Sequence, residues 1–176
     1  SVGGIRESQS MLGASGSAAF EMGGAETRFV SMSGSYRLTS GTSLLAQAST
    51  GTTSTTGAGI ILNSEARTLS WSLGLLHQNA WRTGDKFAFS VAQPMKVTSG
   101  SMNIALPTVD MTSGQGGFNL SSISLASGRA ETVFEVGYMA PVSKASALRF
   151  ISAYKQNANN EPGNAKVIGA RYQMAF

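Results

Sequence analysis

Apolar and polar positions alternate along most of this chain, and the alternation is clearest at its end. From Ile168 to Phe176 every second residue is apolar, while the positions between them are small or polar. Because successive side chains of a strand point to opposite faces, this segment predicts a β-strand with one apolar face. The same period of two predicts further strands in the ranges 18–22, 27–37, 43–50, 69–75, 86–92, 102–106, 118–125, 132–138 and 148–155.

Turn-forming residues separate these segments. The dipeptide at 40–41 and the Thr-Gly-Asp sequence at 83–85 predict short turns between neighbouring strands. The Asn-rich stretch 156–164 predicts a long polar loop before the last strand. Short turns that alternate with long loops are typical of bacterial membrane barrels, although soluble sandwiches also have loops of uneven length.

Other stretches interrupt the alternation. Pro94 and the Ser-Gly pair at 99–100 predict breaks between strands, and the Gly/Thr/Ser-rich stretch 51–59 predicts a surface loop because it holds no large side chain. Residues 1–14 show little periodicity and predict an N-terminal arm or short helix. The remainder, 15–176, is predicted to form a single β-barrel domain.

The strands from residue 69 onward place most of their aromatic residues on the apolar faces. Several of these residues lie near strand ends, as the aromatic girdle of a membrane barrel requires. The pattern predicts an all-β fold, an antiparallel membrane-type β-barrel of about 8–12 strands. The alternatives are that this chain supplies only part of the barrel, or that it forms a soluble β-sandwich. The girdle candidates are Trp71, Phe87, Phe89, Phe134, Tyr138, Phe150 and Tyr154.

The opposite faces of the same strands hold Ser, Gly and Ala with a few charged residues. In a small barrel the lumen is filled by side chains. Glu135 is therefore predicted to form an ion pair with Arg149 or Arg171 across adjacent strands inside the lumen. The alternative is that these charges face water on the outside of a sandwich.

Composition narrows the class of protein. Charged residues make up 12% of the 176 residues, about half the usual share, and Gly, Ser and Thr take their place. The net charge is +4, but the basic residues are scattered singly, so nucleic acid is not an expected partner. There are no cysteines, which excludes disulfides and thiolate metal sites. No apolar run reaches the roughly 18 residues of a transmembrane helix.

Catalytic and metal-binding patterns do not emerge from the sequence. His77 is the single histidine, and no nucleophile elbow accompanies it, so we expect a polar residue near a strand end rather than a general base. Carboxylates are few and dispersed, with no calcium-loop spacing. We expect a protein that is not an enzyme and has no cofactor or metal ion.

Several segments of the second half resemble a known family. The run 84–100, in which an alternating strand ends in Gln93-Pro94, is followed by 104–107, which ends in Leu106-Pro107. Together with 125–141 and the terminal segment 168–176, these patterns resemble the C-terminal β-barrel (translocator) region of proteobacterial autotransporters. The nearest are those of subtilisin-like serine-protease autotransporters. The resemblance covers about residues 67–176.

The resemblance implies a function. It implies an outer-membrane β-barrel that translocates or anchors an exported passenger or partner chain, in contact with outer-membrane lipid and the barrel-assembly machinery. Tyr172, Met174 and Phe176 would form the assembly signal of the closing strand. This sequence is expected to depart from the family in two respects. The family's barrels usually have twelve strands, more than are predicted here, and they follow a passenger, which is not found in this sequence. The alternative is a non-catalytic structural or adhesive β protein that assembles with other chains at the cell surface.

Overall fold

The chain is an all-β protein. The computed structural model describes residues 1–8, 10–11, 14–15, 22–57, 59–109, 111–112 and 114–174. Within these ranges helix is limited to one three-residue 3-10 turn, Ala158–Asn160. The strands are β1 Val2–Glu7, β2 Ser10–Met11, β3 Ala14–Ser15, β4 Met22–Arg37, β5 Thr42–Gly57, β6 Ile61–Gln78, β7 Lys86–Val109, β8 Gly116–Ser124, β9 Thr132–Ser143, β10 Ser146–Gln156 and β11 Asn164–Met174.

Nine of these strands form one antiparallel sheet. Its order is β1-β4-β5-β6-β7-β9-β10-β11, with β8 paired to β7, and in the described residues this order is not closed into a ring. The short strands β2 and β3 pair separately with each other. The predicted all-β antiparallel class is therefore confirmed.

The described residues divide into two compact units. Unit 1 comprises 1–31, 50–69 and 97–127, and unit 2 comprises 32–49, 70–96 and 128–176. Strands β4, β5, β6 and β7 each contribute residues to both units. The single domain predicted for 15–176 stays a prediction.

The interior of unit 1 combines aliphatic side chains such as Ile61 and Ile104 with small and hydroxylated ones. Thr53 is fully buried, and its hydroxyl lies 2.8 Å from the hydroxyl of Thr27. The hydroxyls of Thr55 and Ser64 lie 2.6 Å apart in a buried position. Residues 51–57 belong to β5, so the predicted surface loop at 51–59 was wrong for this part. Threonine suits a strand because it is β-branched, and pairing satisfies its buried hydroxyl.

Strand β7 also corrects the sequence analysis, since it runs through both predicted breaks. Its register with β9 extends to Ala92 and its register with β8 begins at Ser101. Pro94 thus lies outside both of these ladders, so its missing N–H group removes no hydrogen bond from either of them. At Gly100 a side chain would collide with the backbone carbonyl of Glu65, so glycine here permits close approach of strands rather than a turn.

The start of the chain is a strand rather than a helix. Val2 lies opposite Val30 and Glu7 opposite Ala25 in the antiparallel pair of β1 with β4. The strand predicted at 18–22 lies outside the described residues except for its last position. The turn at 40–41, the turn at 83–85 and the loop before β11 are confirmed.

Candidate functional site

Three antiparallel registers align β7, β9, β10 and β11 within unit 2. Phe87 lies opposite Tyr138, which lies opposite Phe150, and two residues further along Phe89 lies opposite Val136. Because alternate residues of a strand share a face, these rows belong to one surface, which we call the apolar face. Its members are Phe87, Phe89, Val91, Phe134, Val136, Tyr138, Ala140, Leu148, Phe150, Ser152, Tyr154, Lys166, Ile168, Ala170, Tyr172 and Met174.

The apolar face remains exposed to solvent. Ile168 is 85% exposed, Tyr172 56% and Phe150 46%. Val136 and Phe89 in the same unit are also exposed. Soluble monomers rarely expose apolar side chains that are contiguous over four strands, so a surface of this kind marks contact with another apolar phase or partner.

Two rows of the apolar face hold more than one aromatic residue. Phe134 and Tyr154 face each other across β9 and β10 and stack with ring centres 6.5 Å apart. The row of Phe87, Tyr138 and Phe150 lies four residues away, about 13 Å along the strands. The row between the two holds Phe89, Val136, Ser152 and Ile168. The predicted alignment of these aromatic side chains on one face is thus present in the registers.

The side chains of β6 join the same face. A side chain at Gly74 would point toward the Cβ atoms of Ser90 and Leu45, which places Gly74 on the face opposite to Phe89. Trp71 and Leu73, at odd positions of β6, therefore lie on the apolar face. A depression of about 500 Å³ in unit 2 has Met32, Gly34, Ala46, Ala48, Trp71 and Leu73 in its lining.

Strand β11 carries two of the three predicted assembly residues. Tyr172 lies opposite Leu148, and Met174 lies opposite Ser146. The Tyr172 hydroxyl is 3.8 Å from the sulfur of Met174, and both side chains are exposed. Phe176 lies outside the described residues. Among the described strands β11 pairs only with β10, so its other edge has no strand partner.

The ion pair predicted for the lumen is not formed. Glu135 lies opposite Ala153, whereas Arg149 lies opposite Met139 on one side and Arg171 on the other. This register separates Glu135 from the arginine row by four residues along the strand, about 13 Å. The ion pairs between described residues are Arg28–Glu26, Arg67–Glu65 and Lys155–Glu131.

The turn from β6 to β7 holds a polar cluster that the sequence analysis missed. The Asp85 carboxylate is buried and accepts hydrogen bonds from the backbone N–H groups of Ala80, Trp81 and Arg82 and from the Tyr138 hydroxyl. Burial would raise the pKa of Asp85, but these hydrogen bonds outweigh it and lower the pKa. The available signal was the Asp at the end of a turn, a residue that commonly binds nearby backbone N–H groups.

Trp81 packs against two aromatic residues beside this cluster. Its ring meets Phe87 and Tyr138 edge-on, with centres 5.6 and 5.2 Å away. Asn79 and Gly84 adopt left-handed backbone conformations, and the Gly84 N–H donates to the Asn79 side chain over 2.7 Å. These hydrogen bonds hold the turn together, so the cluster is structural.

His77 has a partner on the neighbouring strand. Its Nδ1 atom lies 2.8 Å from the Thr42 hydroxyl. Within the described ranges, no group of three or more His, Cys, Asp or Glu side chains could hold a metal ion. The same ranges contain no helix that is long and apolar enough to cross a membrane.

The apolar face, together with the edge strand β11, is the candidate functional surface of the chain. It is extensive, exposed and built from residues that lie in register over four strands. Known proteins add nothing to it, since no family model, no curated protein and no solved structure matches this chain.

Proposed function

We propose that the chain is an outer-membrane β-barrel that serves as a translocator or anchor for an exported passenger or partner. The observation that carries the proposal is the exposed apolar face of β7, β9, β10 and β11. In water such a surface promotes aggregation, whereas in hydrocarbon it is favourable. A β structure in hydrocarbon must also pair its strand edges, which favours a closed barrel over an open sheet.

Strand length supports a transmembrane arrangement. Strands β9, β10 and β11 contain 12, 11 and 11 residues. A tilted strand needs about 9–11 residues to cross the hydrocarbon core. On the face opposite to the apolar face, Ala88, Gly137 and Gly169 lie in one row with Ile151, and these mostly small side chains suit the interior of a small barrel.

The translocator role rests on the sequence resemblance at residues 67–176. In that family the last strand carries the signal for barrel assembly, which would correspond to Tyr172, Met174 and Phe176. The exposed side chains of Tyr172 and Met174 on β11 are compatible with recognition by an assembly factor.

Cell fractionation tests the membrane assignment. The chain, expressed behind a cleavable export signal in a Gram-negative bacterium, should be found in the outer-membrane fraction. Unheated samples should run with altered mobility in detergent gels, and heated samples should run at the size of the unfolded chain. Release of folded protein into a soluble fraction without detergent would refute the proposal.

A surface-display experiment tests the translocator role separately. An epitope-tagged passenger fused before Ser1 should be removed by protease added to intact cells. A barrel that assembles in the outer membrane but leaves the tag protected would support membrane residence and refute translocation. This outcome distinguishes the two parts of the proposal.

The edge of β11 favours the second candidate function. A strand with one unpaired edge and exposed apolar side chains can add a strand from another chain. A structural or adhesive β protein at the cell surface would use it in this way. Electron microscopy distinguishes the candidates, because fibres or sheets favour assembly through the edge and isolated detergent-bound particles favour the barrel.

A further inference from the structure

Three basic side chains form a row on the face opposite to the apolar face of unit 2. Lys86 of β7 lies opposite Met139 of β9, which lies opposite Arg149 of β10, which lies opposite Arg171 of β11. Strands are spaced about 4.8 Å apart, so the row spans roughly 14 Å. We call Lys86, Arg149 and Arg171 the basic row. All three residues are exposed.

The basic row has no acidic partner within the described part of the chain. Glu135, the nearest carboxylate on the same face, lies four residues along β9, about 13 Å away. Asp85 precedes Lys86, but its carboxylate is bound to backbone N–H groups and to Tyr138. No ion pair between described residues includes a member of the row.

Arg149 and Arg171 lie directly opposite each other, and without an anion between them this arrangement is unfavourable. Side chains directly opposite on antiparallel strands have Cβ atoms about 4.5–5.5 Å apart, and like charges there destabilise the pair. Binding of an anion between the two guanidinium groups would reverse the sign of this interaction. Arginine also suits phosphate groups, because its planar fork binds two oxygens at once.

We propose that the basic row is a binding site for a small soluble polyanion of the phosphate class. Two opposed arginines with a lysine about 10 Å from Arg149 fit a ligand that carries more than one negative charge. The turn from β9 to β10, which lies at the same end of these strands, adds Lys144 to the positive field. A phosphorylated lipid fits less well, because its acyl chains would need the apolar face on the other side of the sheet.

Equilibrium dialysis with radiolabelled pyrophosphate tests the site, using the purified full chain in non-ionic detergent. The wild-type chain should bind one equivalent saturably. Replacing both arginines (R149Q/R171Q) should weaken binding at least about tenfold, and K86Q should weaken it about threefold. R67Q is the matched control, since it removes an exposed arginine of unit 1 that is already paired with Glu65, and it should bind like wild type.

A second double variant separates guanidinium recognition from charge alone. R149K/R171K keeps the charge but loses the planar fork, so its affinity should fall between those of wild type and R149Q/R171Q. Circular dichroism confirms that each variant is folded, and the single variant R171Q replaces any double variant that is not. Absence of saturable binding by wild type, or equal weakening by R67Q and R149Q/R171Q, would overturn the proposal.

Discussion

Ile168 and Val167 offer a direct test of which face contacts lipid. They are adjacent β-branched residues on β11, they are 85% and 50% exposed, and they lie on opposite faces of the strand. Ile168 is on the apolar face, opposite Ser152, and is one residue from the middle of β11 at Gly169. The variants Ile168→Arg and Val167→Arg therefore differ chiefly in the environment of the face on which the arginine lies.

The expected cost of Ile168→Arg follows from its depth. Arginine on the lipid face costs about 2–4 kcal/mol at the midplane and nearly nothing at the interface. Lys166 lies two residues away on the same face, and its charged group must itself reach water. The arginine at 168 therefore has a short path to water, and we expect its cost in unfolding free energy to be about 2 kcal/mol. That value lowers the ratio of folded to unfolded chain about 30-fold. Val167→Arg should change stability by less than about 0.5 kcal/mol, as exposed substitutions usually do.

Equilibrium unfolding from lipid vesicles in guanidinium chloride measures both values. Fluorescence of the chain's two tryptophans reports the transition. The difference between the two variants is the decisive quantity, because both remove a branched side chain and add the same charge. Equal effects of the two substitutions, or an Ile168→Arg cost below about 0.5 kcal/mol, would show that the apolar face is not in hydrocarbon.

Three further predictions concern other parts of the chain. Phe176→Ser should reduce the amount of chain in the outer-membrane fraction of expressing cells, and unchanged levels on immunoblots would contradict an assembly role. The folded-state pKa of Asp85 is lowered, so its carboxylate should stabilise the fold above the ordinary aspartate pKa of about 4, and this stabilisation should be lost as pH falls through the lower folded value. In the variant Asp85→Asn, unfolding curves measured below about pH 4 should no longer show this loss of stability. An unchanged pH profile of the variant would refute the prediction. Thr53→Val should lower the free energy of unfolding in chemical denaturation by about 1 kcal/mol, because it leaves the Thr27 hydroxyl without its partner. The double variant Thr27→Val/Thr53→Val should recover most of that loss. Additive losses from the two substitutions would contradict the pairing.

The terminal strand shows what can be derived from local pattern. Alternation from Ile168 onward predicted one apolar face, and β11 has it at Ile168, Tyr172 and Met174. The same reasoning found β8, β9 and β10, with errors of up to five residues at their ends. Local pattern succeeds here because each of these strands has side chains of contrasting polarity on its two faces.

The Thr-rich stretch shows where local pattern fails. Residues 51–57 lack apolar side chains and were predicted to form a loop, yet Thr53 and Thr55 are buried in unit 1. Their burial depends on hydroxyl partners on the two neighbouring strands, Thr27 on β4 and Ser64 on β6. The pattern within 51–57 does not reveal these partners. Pro94 was likewise misjudged, because only the pairing of β7 with both β8 and β9 reveals that it lies between ladders.

The sequence alone determined the all-β class and the division of the later strands into an apolar and a small polar face, because alternation is a property of consecutive residues. Tertiary structure decided which residues meet. Register placed Arg149 beside Arg171 and away from Glu135, and it brought Tyr138 to the carboxylate of Asp85. A shift of one residue between strands would exchange every such neighbour, and the register is set by turn geometry and long-range pairing rather than by the pattern within a strand.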